Sequence, residues 1–366
     1  MKIVHTESSL GWGGQEIRIL SESQGLARRG HEVRLLCPAE ARIFVEAPSW
    51  GLQPEAVPIA RKSWNGFASL KKKFQGCDVV STHSSTDSWL SALALRSLGR
   101  PYPMVRTRHI SAPVPRNPLS HWLYAQAAHI VTAGEALKKE LVERNGLAAE
   151  RIDSVPTGID TERFHPGDKM AAREKLGLPK EKTLVGIVAT LRSWKGHRYL
   201  LEALPEEAGL VIVGDGPQRP MLEAQVDEMK VRYKVLFAGN QRDVVPWMQS
   251  LDVFALPSYA NEGVPQALIQ AMLVGLPCVT TNIGSMAELA VHESTALVVP
   301  PQDPKALHAA LRTLLGDEGL REKLGAAARR HCAERFSYET MLNRMEAIYK
   351  EVAESASKGK AADAHR

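Results

Sequence analysis

Short β-branched apolar runs alternate along this chain with longer amphipathic stretches. KIVHT (2–6), HEVRLLC (31–37), CDVVSTH (77–83), PMVRTRH (103–109), HIVTA (129–133) and RIDSVPTG (151–158) come first, each set off by helix-like sequence or a loop. A break bearing proline and glycine, RFHPGD (163–168), follows. The rhythm then restarts with LVGIVAT (184–190), LVIVGDG (210–216), VLFAGN (235–240), VFALPS (253–258), PCVTTN (277–282) and ALVVPP (296–301). Six strand candidates thus precede the break and six follow it. Strands alternating with helices are the signature of α/β folds with parallel sheets. The pattern predicts two Rossmann-like, doubly wound domains, 1–164 and 165–336, with ligands at the carboxyl ends of the strands and in the crevice between the domains. A last helix over 337–354 places Met341, Met345, Ile348 and Val352 on one stripe, which predicts docking on a surface. The tail, 355–366, lacks large apolar residues and is expected to be disordered.

Composition narrows the picture. The 366 residues are 44% hydrophobic and 24% charged, as suits a globular protein of about two domains. No apolar run approaches the roughly 20 residues that a membrane-spanning helix needs, and the chain opens directly on a strand, so a cytoplasmic protein is expected. Cys37, Cys77, Cys278 and Cys332 lie far apart and suggest neither a zinc site nor a disulfide framework. The formal charge of +5 fits a phosphate-bearing ligand or an anionic surface without choosing between them. Nucleic acid is not among the expected partners.

Four places could carry chemistry. In SLGWGGQEIRIL (9–20) the glycines let backbone approach a phosphate at a helix start. Gly11 and Gly13 fit the first two glycines of a dinucleotide fingerprint, but Glu16 holds the third position, and no acid follows the second strand at Leu36 and Cys37. A nicotinamide dehydrogenase is therefore disfavoured. After the first strand of the second half, Arg192 and Lys195 are placed to hold a diphosphate and to neutralise charge on it as it departs; the alternative is a pair of solvated surface cations. Gly214 and Gly216 break the next strand and can add backbone contacts. The stretch YANEGVPQALIQAM (259–272) is the fourth. Pro265 suits the first helical turn, Ala267, Leu268, Ala271 and Met272 form an apolar side, and Gln266 and Gln270 share the face towards whatever the helix amides hold. Glu262, followed by Gly263 and Val264, would hold hydroxyls of a neutral ligand part such as a sugar, or simply favour the helix dipole.

Lys195 with Gly196, the GDGP loop (214–217), and Glu262-Gly263 before Gln270 resemble the retaining GT-B glycosyltransferases of family four, and the resemblance runs over nearly the whole chain. It implies a nucleotide-sugar donor, such as a UDP- or GDP-sugar, bound mainly by the second domain, and an acceptor bound mainly by the first. It also implies a final helix returning to the first domain. Gly13 and Gly14 match the family's glycine loop near the donor phosphates, Lys195 its diphosphate lysine, and Glu262 the first glutamate of a pair, which holds the transferred sugar. Two departures stand out: the second glutamate is Gln270 here, and the family arginine is Thr190, with Arg192 nearby as a substitute. His109 matches a histidine beside the transferred sugar; His83 is the weaker candidate. The resemblance implies hexosyl transfer with retention of configuration to a glycan or lipid-linked acceptor, in cell-surface polysaccharide, lipopolysaccharide or glycolipid synthesis. No cofactor is expected, and no metal, since the sequence lacks a D-x-D motif. An epimerase of the same architecture and a non-catalytic nucleotide-sugar-binding protein remain as alternatives.

The segment RKSWNGFASLKKKF (61–74) has two readings. As a helix it gathers Trp64, Phe67, Leu70 and Phe74 in one arc beside Lys71, Lys72 and Lys73, which would rest the first domain on an anionic membrane surface, peripherally on its inner face. Alternatively it packs on the sheet as an ordinary helix, with Gly66 weakening it and Lys71 intruding on the arc.

Overall fold

The structure is a computed structural model that describes every residue except 100–101, 110–112, 261 and 365–366, with backbone alone over 359–364. The chain divides into two compact units, Met1–Gly158 with Glu339–Arg366, and Ile159–Tyr338.

Unit 1 is built on seven parallel strands: β1 (Lys2–Thr6), β2 (Glu32–Cys37), β3 (Pro54–Ala56), β4 (Val79–Thr82), β5 (Met104–Arg108), β6 (His129–Thr132) and β7 (Ile152–Ser154). Their order is β3-β2-β1-β4-β5-β6-β7. Ile3, Val4, Val79, Val80 and Val105 are fully buried, as expected of parallel strands covered on both faces by crossover helices. Each such side chain removed from water contributes roughly 1.5–3 kcal/mol. The winding direction reverses between β1 and β4, which puts the topological switch point of unit 1 at the carboxyl ends of these two strands. β3 was not among the expected strands.

The helix Tyr338–Ala364 buries Met341, Leu342, Met345, Ile348, Tyr349 and Val352, all on one stripe. It is tied to the rest of unit 1 by Arg344 to Asp153 at 2.6 Å and Arg29 to Glu346 at 2.7 Å. The expected disordered tail is instead helical through Ala364, and its last two residues lie outside the described ones. Alanine and lysine are good helix formers, so a helix nucleated by the packing of Met341 to Val352 propagates along the backbone into the tail.

Unit 2 holds six parallel strands, β8 (Leu184–Val188), β9 (Gly209–Val213), β10 (Val235–Gly239), β11 (Val253–Leu256), β12 (Cys278–Thr280) and β13 (Leu297–Val298), in the order β10-β9-β8-β11-β12-β13. Its reversal lies between β8 and β11. Ile159 and Phe336 join one core, with the Ile159 amide donating to the Phe336 carbonyl and the Tyr338 amide to the Ile159 carbonyl, both at 2.9 Å. The chain therefore enters and leaves unit 2 side by side, the entry falling a little before the HPGD break. Asp168 caps the helix Lys169–Leu176 by accepting from the amides of Met170 and Ala171.

The helix Trp64–Lys73 is capped by Ser63, whose hydroxyl accepts from the Gly66 amide. Leu70 and Phe74 are fully buried, so the single apolar arc expected over 61–74 is split. Its inner half is core, because Leu70 and Phe74 reach the sheet. The outer half is Trp64, 78% exposed and stacked on Phe67 at 5.0 Å. A side chain at Gly66 would meet the Pro58 carbonyl at 2.7 Å, which is why glycine stands mid-helix despite its cost.

Candidate functional site

In unit 2 the loops after β8 and β11 flank the topological switch point, and a charged group of one meets a charged group of the other. Lys195 ends a short 3-10 turn, Ser193–Lys195, and Glu262 follows the stretch Pro257–Ala260. The Lys195 Nζ lies 2.7 Å from Glu262 Oε1, and the Ser258 hydroxyl donates to the same oxygen at 2.7 Å. The loops are locked by backbone. The Tyr259 amide donates to the Trp194 carbonyl at 2.9 Å, and Gly196, at φ +78°, lies so close to Pro257 that an added Cβ would sit 2.0 Å from its carbonyl oxygen.

The third loop, after β9, joins them. The Leu191 amide donates to the Asp215 carbonyl and the Gln218 amide to the Leu191 carbonyl, each at 3.0 Å. A Cβ on Gly214 (φ +131°) would lie 2.1 Å from the Ala189 carbonyl oxygen, and one on Gly216 would lie 2.8 Å from that of Leu191. These two glycines are thus required for loop-on-loop packing.

Pro265 is the N-cap of the helix Gln266–Leu273, in extended conformation, and not its first-turn residue as expected. With Gly263 and Val264 preceding it outside the helix, the ring fixes the entry angle one position earlier. Leu268, Ala271 and Met272 are buried and Ala267 packs against the same core, whereas Gln266 and Gln270 are half-buried on the other side. Arg192 is exposed with its guanidinium 5.7 Å from the Trp194 ring centre, and Thr190 is exposed.

Two residues that pattern reading passed over shape the Glu262 environment. Gly284, at φ +60°, abuts the Glu262 backbone: a Cβ there would lie 1.9 Å from its carbonyl oxygen. The Thr281 hydroxyl donates to the Ser258 carbonyl at 2.5 Å and holds the loop that carries the serine.

In unit 1 the glycine loop follows β1. Gly13 is extended (φ −177°) and Gly14 opens the helix Gly14–Arg28. The loop is organised by Glu7, which was not foreseen. Glu7 accepts from the Ser9 amide at 2.6 Å, from Gln15 Nε2 at 2.5 Å and from the Ser84 hydroxyl. Burial first, and the nearby Asp87 carboxylate second, raise the Glu7 pKa to about 7. Asp87, at the start of the helix Ser85–Ser97, accepts from the Thr6 hydroxyl and the His83 amide, each at 2.9 Å. The available signal was position, a polar run directly after the strand at the switch point.

His109, half-buried after β5, is joined through its Nε2 to His83 Nδ1 at 3.0 Å, so the two histidine candidates are bonded to one another. Among the described residues no three His, Cys, Asp or Glu side chains are grouped as a metal site requires, and no helix is long and apolar enough to cross a membrane.

Residues 12–163 match the Glycosyltransferase Family 4 model, and residues 168–331 match that of Glycosyl transferases group 1. A D-inositol 3-phosphate glycosyltransferase of Xylanimonas cellulosilytica is 29% identical, over 92% of this chain and 91% of that one. The fold is similar to a glycosyltransferase from Rickettsia africae (TM-score 0.86, 20% identity, 96% of this chain and 98% of that one). It is also similar to HepE of Anabaena, solved with UDP (TM-score 0.85, 19% identity) and with UDP-glucose (0.82, 20%), each covering 96% of this chain and 100% of that one. With two parallel-sheet units and both halves matched, the chain belongs to the family-four, group 1 glycosyltransferases of GT-B fold.

Proposed function

We propose that this protein transfers a hexosyl group from a nucleotide sugar, a UDP- or GDP-sugar, to a hydroxyl acceptor with retention of configuration. The observation that carries the reading is the buried Glu262 carboxylate paired with Lys195 where the loops after β8 and β11 meet. Lys195, with Arg192 and the start of the helix Gln266–Leu273, holds the diphosphate. Glu262 holds hydroxyls of the transferred sugar. Gly214, Gly216, Gly263, Val264 and Ala267 line the nucleotide, with Gln266 and Gln270 directed to its ribose; an amide oxygen accepts from a ribose hydroxyl, though more weakly than a carboxylate. In unit 1 the residues assigned on this reading are Gly13 and Gly14, as backbone for phosphate, and His109, as a partner for a sugar hydroxyl.

In the reaction, the bond from the anomeric carbon to the phosphate oxygen breaks, and charge developing on that oxygen is met by lysine, arginine and backbone amides. The acceptor oxygen bonds the anomeric carbon on the face that the diphosphate leaves, and its proton passes to a phosphate oxygen. The products are a glycoside and a nucleoside diphosphate. None of these steps calls for a metal ion.

The acceptor class is a glycan or lipid-linked sugar, placing the activity in cell-surface polysaccharide or glycolipid synthesis. The name of the Xylanimonas relative adds a phosphorylated polyol to the acceptors worth testing. We place the protein in the cytoplasm, peripheral on a membrane through Trp64 and its basic neighbours.

Thermal-shift screening with a panel of nucleotide sugars tests the donor, since a ligand of the folded state raises Tm. A raised Tm that is lost in Lys195→Ala, together with acceptor-dependent release of nucleoside diphosphate, is expected. No shift with any nucleotide sugar, or full turnover after Lys195→Ala and Glu262→Ala, overturns the reading. Release of an altered nucleotide sugar without acceptor would identify an epimerase.

A further inference from the structure

Three neighbouring strands of unit 1 each carry a histidine at or just beyond their carboxyl ends: His5 in β1, His83 after β4 and His109 after β5. The rings form one hydrogen-bonded row. His5 Nδ1 lies 2.9 Å from His83 Nε2, and His83 Nδ1 lies 3.0 Å from His109 Nε2. Ring centres are 5.2 Å apart in both pairs, with planes tilted by 11° and 30°. The reaction proposed above gives no role to His5 or His83.

Burial lowers the pKa of all three rings. At His83 the charges of His109, His5 and Arg18 lower it further, at His109 Arg18 does so, and at His5 Glu22 offsets part of the effect. Each neutral ring carries one proton, and each ring-to-ring contact has room for one. Two arrangements satisfy both contacts: every proton on Nδ1, or every proton on Nε2.

They differ at the ends of the row. Protons on Nε2 would leave an N–H at His5 Nε2, which is buried and without a hydrogen-bond partner. The ring of Tyr349 meets His5 at 89°, and its hydroxyl is committed elsewhere, to Glu22 Oε1 at 2.7 Å and Ser81 Oγ at 3.0 Å. Protons on Nδ1 leave only a lone pair there. A buried unpaired N–H is the rarer defect in protein interiors, so the row runs from His5 towards His109, each Nδ1–H donating to the next Nε2. His109 Nδ1, the nitrogen that the row does not use, then carries a proton.

We propose that His5 and His83 are positioning residues that lock His109 in the Nδ1–H tautomer, so that its outward nitrogen donates a hydrogen bond to substrate oxygen. A ring held this way can grip a sugar hydroxyl but cannot take the acceptor's proton, which accords with delivering that proton to phosphate. Only the identity of what His109 meets rests on the donor-site reading; the tautomer does not.

Long-range proton–nitrogen correlation spectra of the full chain, labelled with 15N-histidine, test the relay. In the wild type all three rings are expected with Nδ1 protonated and Nε2 bare, and any of them protonated on Nε2 overturns the proposal. In His83→Phe, which removes the donor to His109 Nε2, the His109 tautomer is expected to shift towards Nε2–H; an unchanged tautomer also overturns it. His83→Gln, whose amide can still donate, is expected to restore the Nδ1–H signature. With UDP-glucose as probe donor, kcat is expected to fall about tenfold in His83→Phe and to recover in His83→Gln, with KM little changed. If His83→Phe fails to fold, the wild-type spectra decide. If the wild type turns over no nucleotide sugar, the donor-site reading fails while the spectra still decide the relay.

Discussion

Lys195 and Glu262 are bonded to each other, 2.7 Å apart, although 67 positions separate them in the chain. The partners are unequally buried, with side chains 20% and 4% exposed. A carboxylate that deep needs a cation or several donors to be tolerated. The lysine is the partner with room to turn. On the proposed function a single donor molecule replaces both halves of the pair: its phosphates take the lysine, and its hydroxyls take over the glutamate.

That arrangement separates stability from function. Lys195→Ala leaves Glu262 with the Ser258 hydroxyl as its remaining described donor, and should cost about 2 kcal/mol, below the roughly 3–5 kcal/mol of a fully buried pair. The double variant Lys195→Ala with Glu262→Gln removes the stranded charge and should regain most of that stability while remaining inactive. Denaturant unfolding beside nucleotide release checks this, and a double variant no more stable than Lys195→Ala refutes it.

Gly284 gives a second test of the same carboxylate. Gly284→Ala must displace the Glu262 backbone, whereas Gly275→Ala, at φ +87° with its nearest neighbour Pro166 at 3.5 Å, meets only conformational strain. Both should lower stability by about 1–2 kcal/mol. Only the first should weaken donor binding, by about tenfold in a calorimetric titration. Equal affinities in the two variants would show that Gly284 does not shape the site.

The two sheets were legible because buried parallel strands announce themselves as β-branched runs between amphipathic segments. β3 was not, since Pro54–Ala56 is a short edge strand with a proline and no β-branched residue. Lys195, Glu262 and the glycines of the β9 loop could be found because strand ends and helix starts mark the carboxyl edge of a sheet. His5 and Glu7 were harder: His5 reads as one polar position within the β1 run, Glu7 as part of the polar run just after it, and only the strand order puts them beside His83 and Ser84. The segment 61–74 was ambiguous for a related reason, because periodicity shows that residues share an arc without showing how deep the sheet lies beneath it.

What remains of that arc is a testable surface. Trp64, Phe67 and Leu93 line an apolar groove edged by Lys62 and Arg96. Lys73 is engaged by Glu55 at 2.6 Å, while Lys72 is exposed. The chain should sediment with vesicles rich in anionic phospholipid and less so at high salt. Trp64→Ser and a combined Lys71, Lys72 and Lys73 to Gln variant should each weaken binding severalfold. Sedimentation that is absent in the wild type, or unaffected by these changes, removes the membrane from the proposal.

Glu7 makes the stability of unit 1 depend on pH in a direction opposite to that of a paired surface carboxylate. Its pKa rises from an ordinary 4.5 to about 7, chiefly through burial and then through Asp87, itself raised to about 6 by burial. Between those limits the folded chain keeps a proton that the unfolded chain has lost, so stability should fall as pH climbs from about 4.5 to about 7 and level off beyond. The buried histidines act the other way: with pKa values below the ordinary 6.5, they add stability as pH rises towards it. Glu7→Gln removes the first effect and keeps the second. The stability of the wild type minus that of the variant should therefore decline by on the order of 2 kcal/mol across the window, measured by denaturant unfolding at a series of pH values. A difference that stays flat would mean that Glu7 is ionised in the fold, and that Ser9, Gln15 and Ser84 hold a carboxylate.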